Sequence, residues 1–151
     1  MQIVAHTMEY DGENFDFDLN VTNYITDDYN EYKRVYEDCF FEMRTALELY
    51  PVNCCDSNET LLEKSSQIFI LRENKVFIGS VAIYGNEIDD LIVAKEFQNK
   101  GYGKKLLLFA ISKMKNDDIN SIILHVADWN KNAINLYLNN GFIISKTETV
   151  N

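Results

Sequence analysis

Gly101 and Gly103 stand one residue apart in Lys100-Gly101-Tyr102-Gly103-Lys104. An apolar run ends before them at Val93, and an apolar, helix-like run begins after them at Leu106. Glycines at the mouth of a helix let backbone N–H groups crowd around one point, at the positive end of the helix dipole. Such a point suits an anion such as a phosphate. Four lysines, Lys95, Lys100, Lys104 and Lys105, surround it in a chain whose formal charge is −10. The chemistry to expect is the binding of a phosphate-bearing cofactor, whereas a lone Gly-x-Gly would be an ordinary flexible helix start. Two nucleotide templates fail. The phosphate loop of nucleotide hydrolases needs about four residues between its glycines and a Ser or Thr after its lysine, where Lys105 stands here. The dinucleotide fingerprint needs a third glycine where Leu106 stands.

The elements that must position this loop can be read on either side of it. Gln2 to Glu9 reads as a strand, and Phe15, Phe17, Leu19 and Val21 alternate with polar residues as in a second, half-buried strand. Asp27 and Asp28 offer N-caps, and Asp28-x-x-Glu31 resembles a capping box. Tyr32, Val35, Tyr36, Cys39, Phe40 and Met43 follow at helical spacing. That helical pattern can run on to about Leu49, with room for a break or bend near Phe41, and ends before Pro51. Glu59 to Ser65 is a short helix. Ile68 to Leu71, Val76 to Tyr84 and Glu87 to Val93 are strands joined by tight turns, and Gly79 signals a bulge or a close backbone approach. A helix from Gly103 to Lys115, a strand from Ser121 to Ala127, a helix from Lys131 to Asn140 closed by Gly141, and a strand from Phe142 to Thr147 complete the chain. The fold class is α/β: a mixed, mainly antiparallel sheet with a central parallel βαβ crossover from Glu87 to Ala127 and helices on both faces.

With 151 residues, 46% hydrophobic and 13% aromatic, the chain reads as a single domain over 1–151 with a real core. Its acidity disfavours nonspecific nucleic-acid binding. It suits a cationic or amine partner, although acidity also serves solubility alone. The three cysteines, Cys39, Cys54 and Cys55, include an adjacent pair and form no metal or disulfide spacing. A reducing cytoplasm is the simplest setting, and no metal is expected. The N-terminus has no leader pattern, and no stretch approaches the ~20 apolar residues of a membrane span.

Gln98-x-x-Gly101-x-Gly103 resembles the Q/R-x-x-G-x-G/A signature of the GNAT superfamily of acyl-CoA-dependent N-acetyltransferases. Asn130, Ala133, Tyr137, Gly141 and Phe142 resemble its second signature, N-x-x-A-x-x-x-Y-x-x-x-G-F. The resemblance covers roughly Ile68 to Phe142. It implies a GNAT fold and acetyl-CoA as acyl donor. The backbone around Gln98, Asn99, Lys100, Gly101, Tyr102, Gly103 and Lys104 would hold the pyrophosphate, with Lys100 or Lys104 adding a charged contact. The strand ending at Val93 would splay from the strand Ser121–Ala127, so that the pantetheine arm pairs with free backbone near Ile92 and Val93. The Val93 amide would then act as an oxyanion donor. Asn130 and Ala133 lie where the family contacts the cofactor, and Asn130 also reads as a helix cap.

The resemblance gives Tyr137 the role of acid toward the departing thiolate; the plainer reading is a core tyrosine. A base is needed because an alkylamine, with a pKa of ~10, is mostly protonated at neutral pH. Glu87, His125 and Asp90 are the candidates, Glu87 first among them, with a water-mediated base as a further route. Each has an ordinary reading: a solvated strand start, a hydrogen-bonded sheet residue, a polar edge. Trp129, Tyr29, Tyr32, Tyr36, Phe40 and Phe41 read as core, with room for some to line an acceptor pocket.

One departure stands out. Family members usually add a strand after the Gly-Phe strand, and too few residues remain here. The N-terminal strand, a second subunit in a homodimer, or nothing would fill that edge. The expected function is N-acetyl transfer to a primary amine of a small molecule or peptide by direct attack. The rivals are a noncatalytic acyl-CoA-binding module and an interaction domain without cofactor.

Overall fold

The structure is a computed structural model that describes residues 2–150. Its strands are β1 (Ile3–Tyr10), β2 (Val21–Asn23), β3 (Ile68–Glu73), β4 (Val76–Tyr84), β5 (Glu87–Val93), β6 (Ile123–Ala127) and β7 (Phe142–Val150). Its helices are α1 (Tyr29–Ala46), α2 (Asn58–Glu63), α3 (Tyr102–Asn116) and α4 (Lys131–Leu138). The strands form one seven-stranded sheet in the order β2-β3-β4-β5-β6-β1-β7. Every neighbouring pair is antiparallel except β5 with β6.

β4 is apolar along most of its length because both of its faces are covered, as in a fully buried strand. One face carries a core of Met8, Val81, Ile83 and Ile88 against the stripe Leu106, Leu107, Ala110, Ile111 and Met114 of α3. The other carries Ile68, Ile70, Ala82 and Ile92 against Tyr32 and Val35 of α1 and Leu61 of α2. Each such buried aliphatic side chain contributes roughly 1.5–3 kcal/mol. Gly79 meets the close-approach expectation. A Cβ there would lie 2.5 Å from the Ile92 carbonyl oxygen of β5.

The N-terminal strand is inserted into the sheet, and β7 forms the edge beyond it. β1 lies between β6 and β7, running from Ala5 opposite Ala127 to Glu9 opposite Ile123 on one side. On its other side it runs from Ile3 opposite Val150 to Tyr10 opposite Phe142. The long range of β7, three residues beyond Thr147, follows from this pairing.

Four local expectations are corrected. Phe15 to Asn20 is not a strand. Its alternating burial is real, but Phe15 and Leu19 pack over the α3-side core without a neighbouring strand, and the Phe17 amide donates to Ser112 Oγ (3.0 Å). The Asp28–Glu31 capping box does not form. Asp28 is buried, accepts from the Ile25 amide at 2.9 Å and pairs with Arg72, a buried charge taking the cation its burial demands. α1 runs without a break through Phe41 and ends at Ala46, short of the expected Leu49. α4 ends at Leu138, two residues early, and Gly141 makes the reversal into β7 at φ 95°.

Candidate functional site

The parallel pair β5–β6 holds its register only at Glu87 opposite Ile123. Beyond that point the strands diverge, and a cavity of about 530 Å³ opens between them. Its walls are Ile88 to Leu91 and Val93 of β5, His125 to Ala127 of β6, and Ala133, Leu136 and Tyr137 of α4. The mouth is formed by Gln98, Asn99, Tyr102 and Gly103. Cys39, Phe40 and Met43 of α1 close the far side.

The loop between β5 and α3 is built to leave amides free. A short 3-10 turn, Lys95–Phe97, follows β5, and the Phe97 amide donates to the Ala94 carbonyl at 2.8 Å. Gln98 Nε2 then reaches back to the Val93 carbonyl at 2.9 Å, pinning the loop to the strand end. Asn99 and Gly101 adopt positive φ, 62° and 89°, which turns the chain into the helix. The first amides of an α-helix have no acceptor within it. Here the amides from Asn99 to Lys104 find no carbonyl elsewhere among the described residues. A Cβ on Gly103 would meet only Leu136 at 3.8 Å and Val93 at 4.0 Å, so this glycine leaves space where the amides converge. Lys100 and Lys105 lean over the rings of Phe97 and Tyr102, at 5.8 and 5.2 Å, on the outside of the loop. The loop's donors and cations fit the pyrophosphate of coenzyme A.

Val93 is oriented by strand alternation. The Ala94 amide bonds across to Ile78 of β4 at 2.9 Å, so the Val93 amide and carbonyl point the other way, into the wedge. The carbonyl takes the bonds from Gln98 Nε2 and from Cys39 Sγ, the latter at 3.2 Å. Ile92 faces the α1-side core and is 1% exposed; its side chain does not line the cavity.

Asn130 caps α4, its Oδ1 accepting from the Ala133 amide at 3.2 Å, and both residues also line the cavity. Tyr137 stands one turn after Ala133, its ring against Phe142 at 5.9 Å between centroids. Burial pushes its phenol up to about 12, and the negative charge of Asp89 adds to this.

The base candidates separate. Glu87 sits at the closed end of the wedge, and its Oε2 meets His125 Nδ1 at 3.2 Å, so these two engage each other. His125 lines the cavity. Asp90 lines it too, at a β-bulge: Ser80 is opposite Ile92 and Ala82 opposite Asp89, so Asp90 and Leu91 together face Val81. Asp90 takes φ 48° there. Burial pushes its carboxyl up to about 7, and neighbouring Asp89 adds to the rise. Asp89 is raised by burial and by Glu87, while accepting the Asp90 amide at 2.8 Å.

Asp89, Cys39 and Met43 are wall residues that the motifs did not assign to the site, and Phe40 is one of the aromatics left open as pocket lining. The α1 trio lies on the helical stripe Tyr32 to Met43, so its inward face was legible but not what it faced. Asp89 carried no signal beyond its place beside Asp90. Among the described residues no group of three or more potential metal ligands gathers, and no helix is long and apolar enough to cross a membrane.

The model of the acetyltransferase (GNAT) family matches residues 24–142. Streptothricin acetyltransferase A of Bacillus subtilis (strain 168) is 32% identical over 92 residues, covering 58% of this chain and 52% of that protein. The chain thus spans about half the length of that relative. The structure resembles the PaiA N-acetyltransferase of Thermoplasma acidophilum in complex with coenzyme A, with a TM-score of 0.69 at 21% identity, over 87% of this chain and 94% of that one. A GNAT-family protein of Novosphingobium aromaticivorans superposes with a TM-score of 0.72 at 18% identity, over 99% of this chain and 63% of that one. At these identities the structural likeness is one of fold.

Proposed function

The chain belongs to the acetyltransferase (GNAT) family, and on that premise we propose that it transfers an acetyl group from acetyl-CoA to a primary amine held in the β5–β6 wedge. The observation that carries this reading is the convergence, in one cavity, of the free-amide loop, the wedge-facing Val93 amide, Tyr137 and the Asp89–Asp90 pair. Acetyl-CoA supplies the activated thioester. The remaining chemistry belongs to the chain's own groups.

The Asp89–Asp90 pair takes the proton of the attacking amine. Two adjacent carboxylates titrate as a unit, and this pair loses its last proton near neutrality, where a base is most effective. Asp89 is the member whose charge reaches Tyr137, so it borders the reacting centre. The Val93 amide offers a donor to the oxygen on which charge develops. Gln98 and Cys39 hold that amide's peptide neighbour in place through the Val93 carbonyl. Tyr137, protonated throughout the physiological range, gives its proton to the departing thiolate. Glu87 and His125, engaged with each other, shape the closed end of the cavity. The relative's name, streptothricin acetyltransferase, is that of an acetyltransferase and agrees with acetyl transfer here.

The test is release of free thiol from acetyl-CoA against a panel of primary amines, read with mass detection of the acetylated product. Thiol release that needs the amine is expected. Tight acetyl-CoA binding with no acetylated product from any amine would instead mark a noncatalytic acyl-CoA-binding module.

A further inference from the structure

We propose that the acceptor is a linear aliphatic amine with a second ammonium group, which docks at the Asp90 end of the carboxylate pair while its first amine attacks beside Asp89. This rests on the acetyl-transfer reading above and names its substrate class.

The charge pattern supports it first. The acids around the pair are matched: Asp56 by Lys64 at 3.0 Å, Glu87 by His125 at 3.2 Å. Asp89 and Asp90 take part in no ion pair among the described residues, yet both line the cavity. Asp89 is exposed and Asp90 half-buried in the open cavity, and a ligand that fills it closes over two carboxylates that then need a positive partner. One amine meets one of them; a second ammonium meets the other.

The walls supply the second argument. Cys39, Phe40 and Met43 line the same cavity and offer hydrocarbon and sulfur. Methylenes lose nothing by being enclosed there, whereas the hydroxyls of a sugar-based amine would be left unpaired. The favoured link between the two cations is therefore a plain alkyl chain.

The surroundings of Asp90 supply the third. Tyr32 and Tyr36 of α1, Tyr84 of β4, and Lys64 and Asp56 beside α2 lie close enough for their charges and that of Asp90 to act on one another. The Tyr84 ring already carries a cation, Lys64 Nζ at 4.9 Å from its centroid. Its buried hydroxyl has no acceptor. These rings back the Asp90 end of the cavity without lining it, so a docked ammonium meets the carboxylate itself. When the second ammonium docks, the proton that Asp90 holds near neutral pH leaves its carboxyl for solvent, and the new ion pair replaces it.

The experiment compares putrescine with n-butylamine, aminobutanol and kanamycin as acceptors, using thiol release. For putrescine, kcat/KM is expected to exceed that for n-butylamine and aminobutanol on the order of tenfold or more. Asp90→Asn should slow every amine, because the pair shares the base role, and also bring that ratio to about one, since asparagine tolerates the positive φ of this position and keeps the bulge. Asp89→Asn should lower turnover of both amines alike. A ratio near one in the unmodified protein, a ratio that survives Asp90→Asn, or kanamycin outrunning putrescine would overturn the proposal. If no amine turns over, calorimetry of putrescine on the coenzyme A-loaded protein decides separately. Binding that releases a proton and is lost in Asp90→Asn upholds the docking site while sinking acetyl transfer; absence of binding sinks both.

Discussion

His6 Nε2 and Asp128 Oδ1 meet at 2.8 Å, which ties the first strand of the chain to the turn that leads into the Tyr137 helix. The other ring nitrogen, Nδ1, bonds Thr147 Oγ1 of β7 at 2.8 Å, so one imidazole, 8% exposed, fastens three elements. Lys131 also reaches Asp128, at 3.0 Å. The arrangement explains how an N-terminal strand stays inserted between β6 and β7.

Replacing His6 with Ala removes both bonds, each of which contributes about 0.5–1.5 kcal/mol net. Urea unfolding should report a loss near the sum of the two. The carboxyl of Asp128 is held below its usual 3.8 by His6 and then Lys131. A carboxylate depressed in the folded state stabilises at pH above its unfolded value and loses that contribution as pH falls through the folded one. The unfolding midpoints of the parent and of Asp128→Asn should therefore differ at pH 7 and converge in strong acid. A gap that persists there would mean that the carboxylate's charge is not what His6 reads.

Gly103 is the cleanest probe of the phosphate loop. Gly101, at φ 89°, would be strained by any side chain. Gly103 would not, because its nearest neighbours to a new Cβ are at ordinary contact distance. Gly103→Val should leave the unfolding midpoint nearly unchanged while weakening acetyl-CoA binding on the order of tenfold or more. Isothermal titration beside a melting curve separates these effects. Retained affinity would remove the loop from the cofactor site.

Much of this was legible in the sequence because the constraints were local. The loop from Gln98 to Lys104 depends on residues within one turn of one another, and so does the Asn130 cap of α4. What was not legible depends on partners distant along the chain. Asp28 is an N-cap by its neighbours, but Arg72 draws it into a buried pair. Phe15 to Asn20 alternates like a strand, but alternation records burial on one side and says nothing of a neighbouring strand to bond. The bulge at Asp90 carries no glycine to announce it, since aspartate tolerates the same backbone. That β1 would fill the gap beside β6 was one of three open outcomes, and register with β6 and β7 decides it.

Asp90 should show a cost of function in the resting protein. Its carboxyl is raised above its unfolded value, so the folded state binds more protons between the two. Stability therefore falls as pH rises from about 4 towards the folded value near 7, and the penalty is complete above it. Asp90→Asn should stabilise the ligand-free protein at pH 8, on the order of 1–3 kcal/mol, and hardly at all at pH 3. Denaturant melts at the two pH values test this. Equal effects at both would mean that the gain is steric and that Asp90 is not held in a proton-rich site.

Tyr137 closes the catalytic proposal because its proton must be present when the thiolate departs. Burial raises its phenol to about 12, so it stays protonated well past neutrality. The Asp89–Asp90 pair must instead lose its proton, which it does near 7. The pH profile of kcat/KM should then rise through neutrality with the pair and stay level to about pH 10, with no fall from Tyr137 in that range. Tyr137→Phe keeps the ring against Phe142 and deletes only the hydroxyl, so acetyl-CoA affinity should hold while kcat drops on the order of a hundredfold. A phenylalanine variant with undiminished kcat across the profile would assign the leaving-group proton to solvent and return Tyr137 to the core.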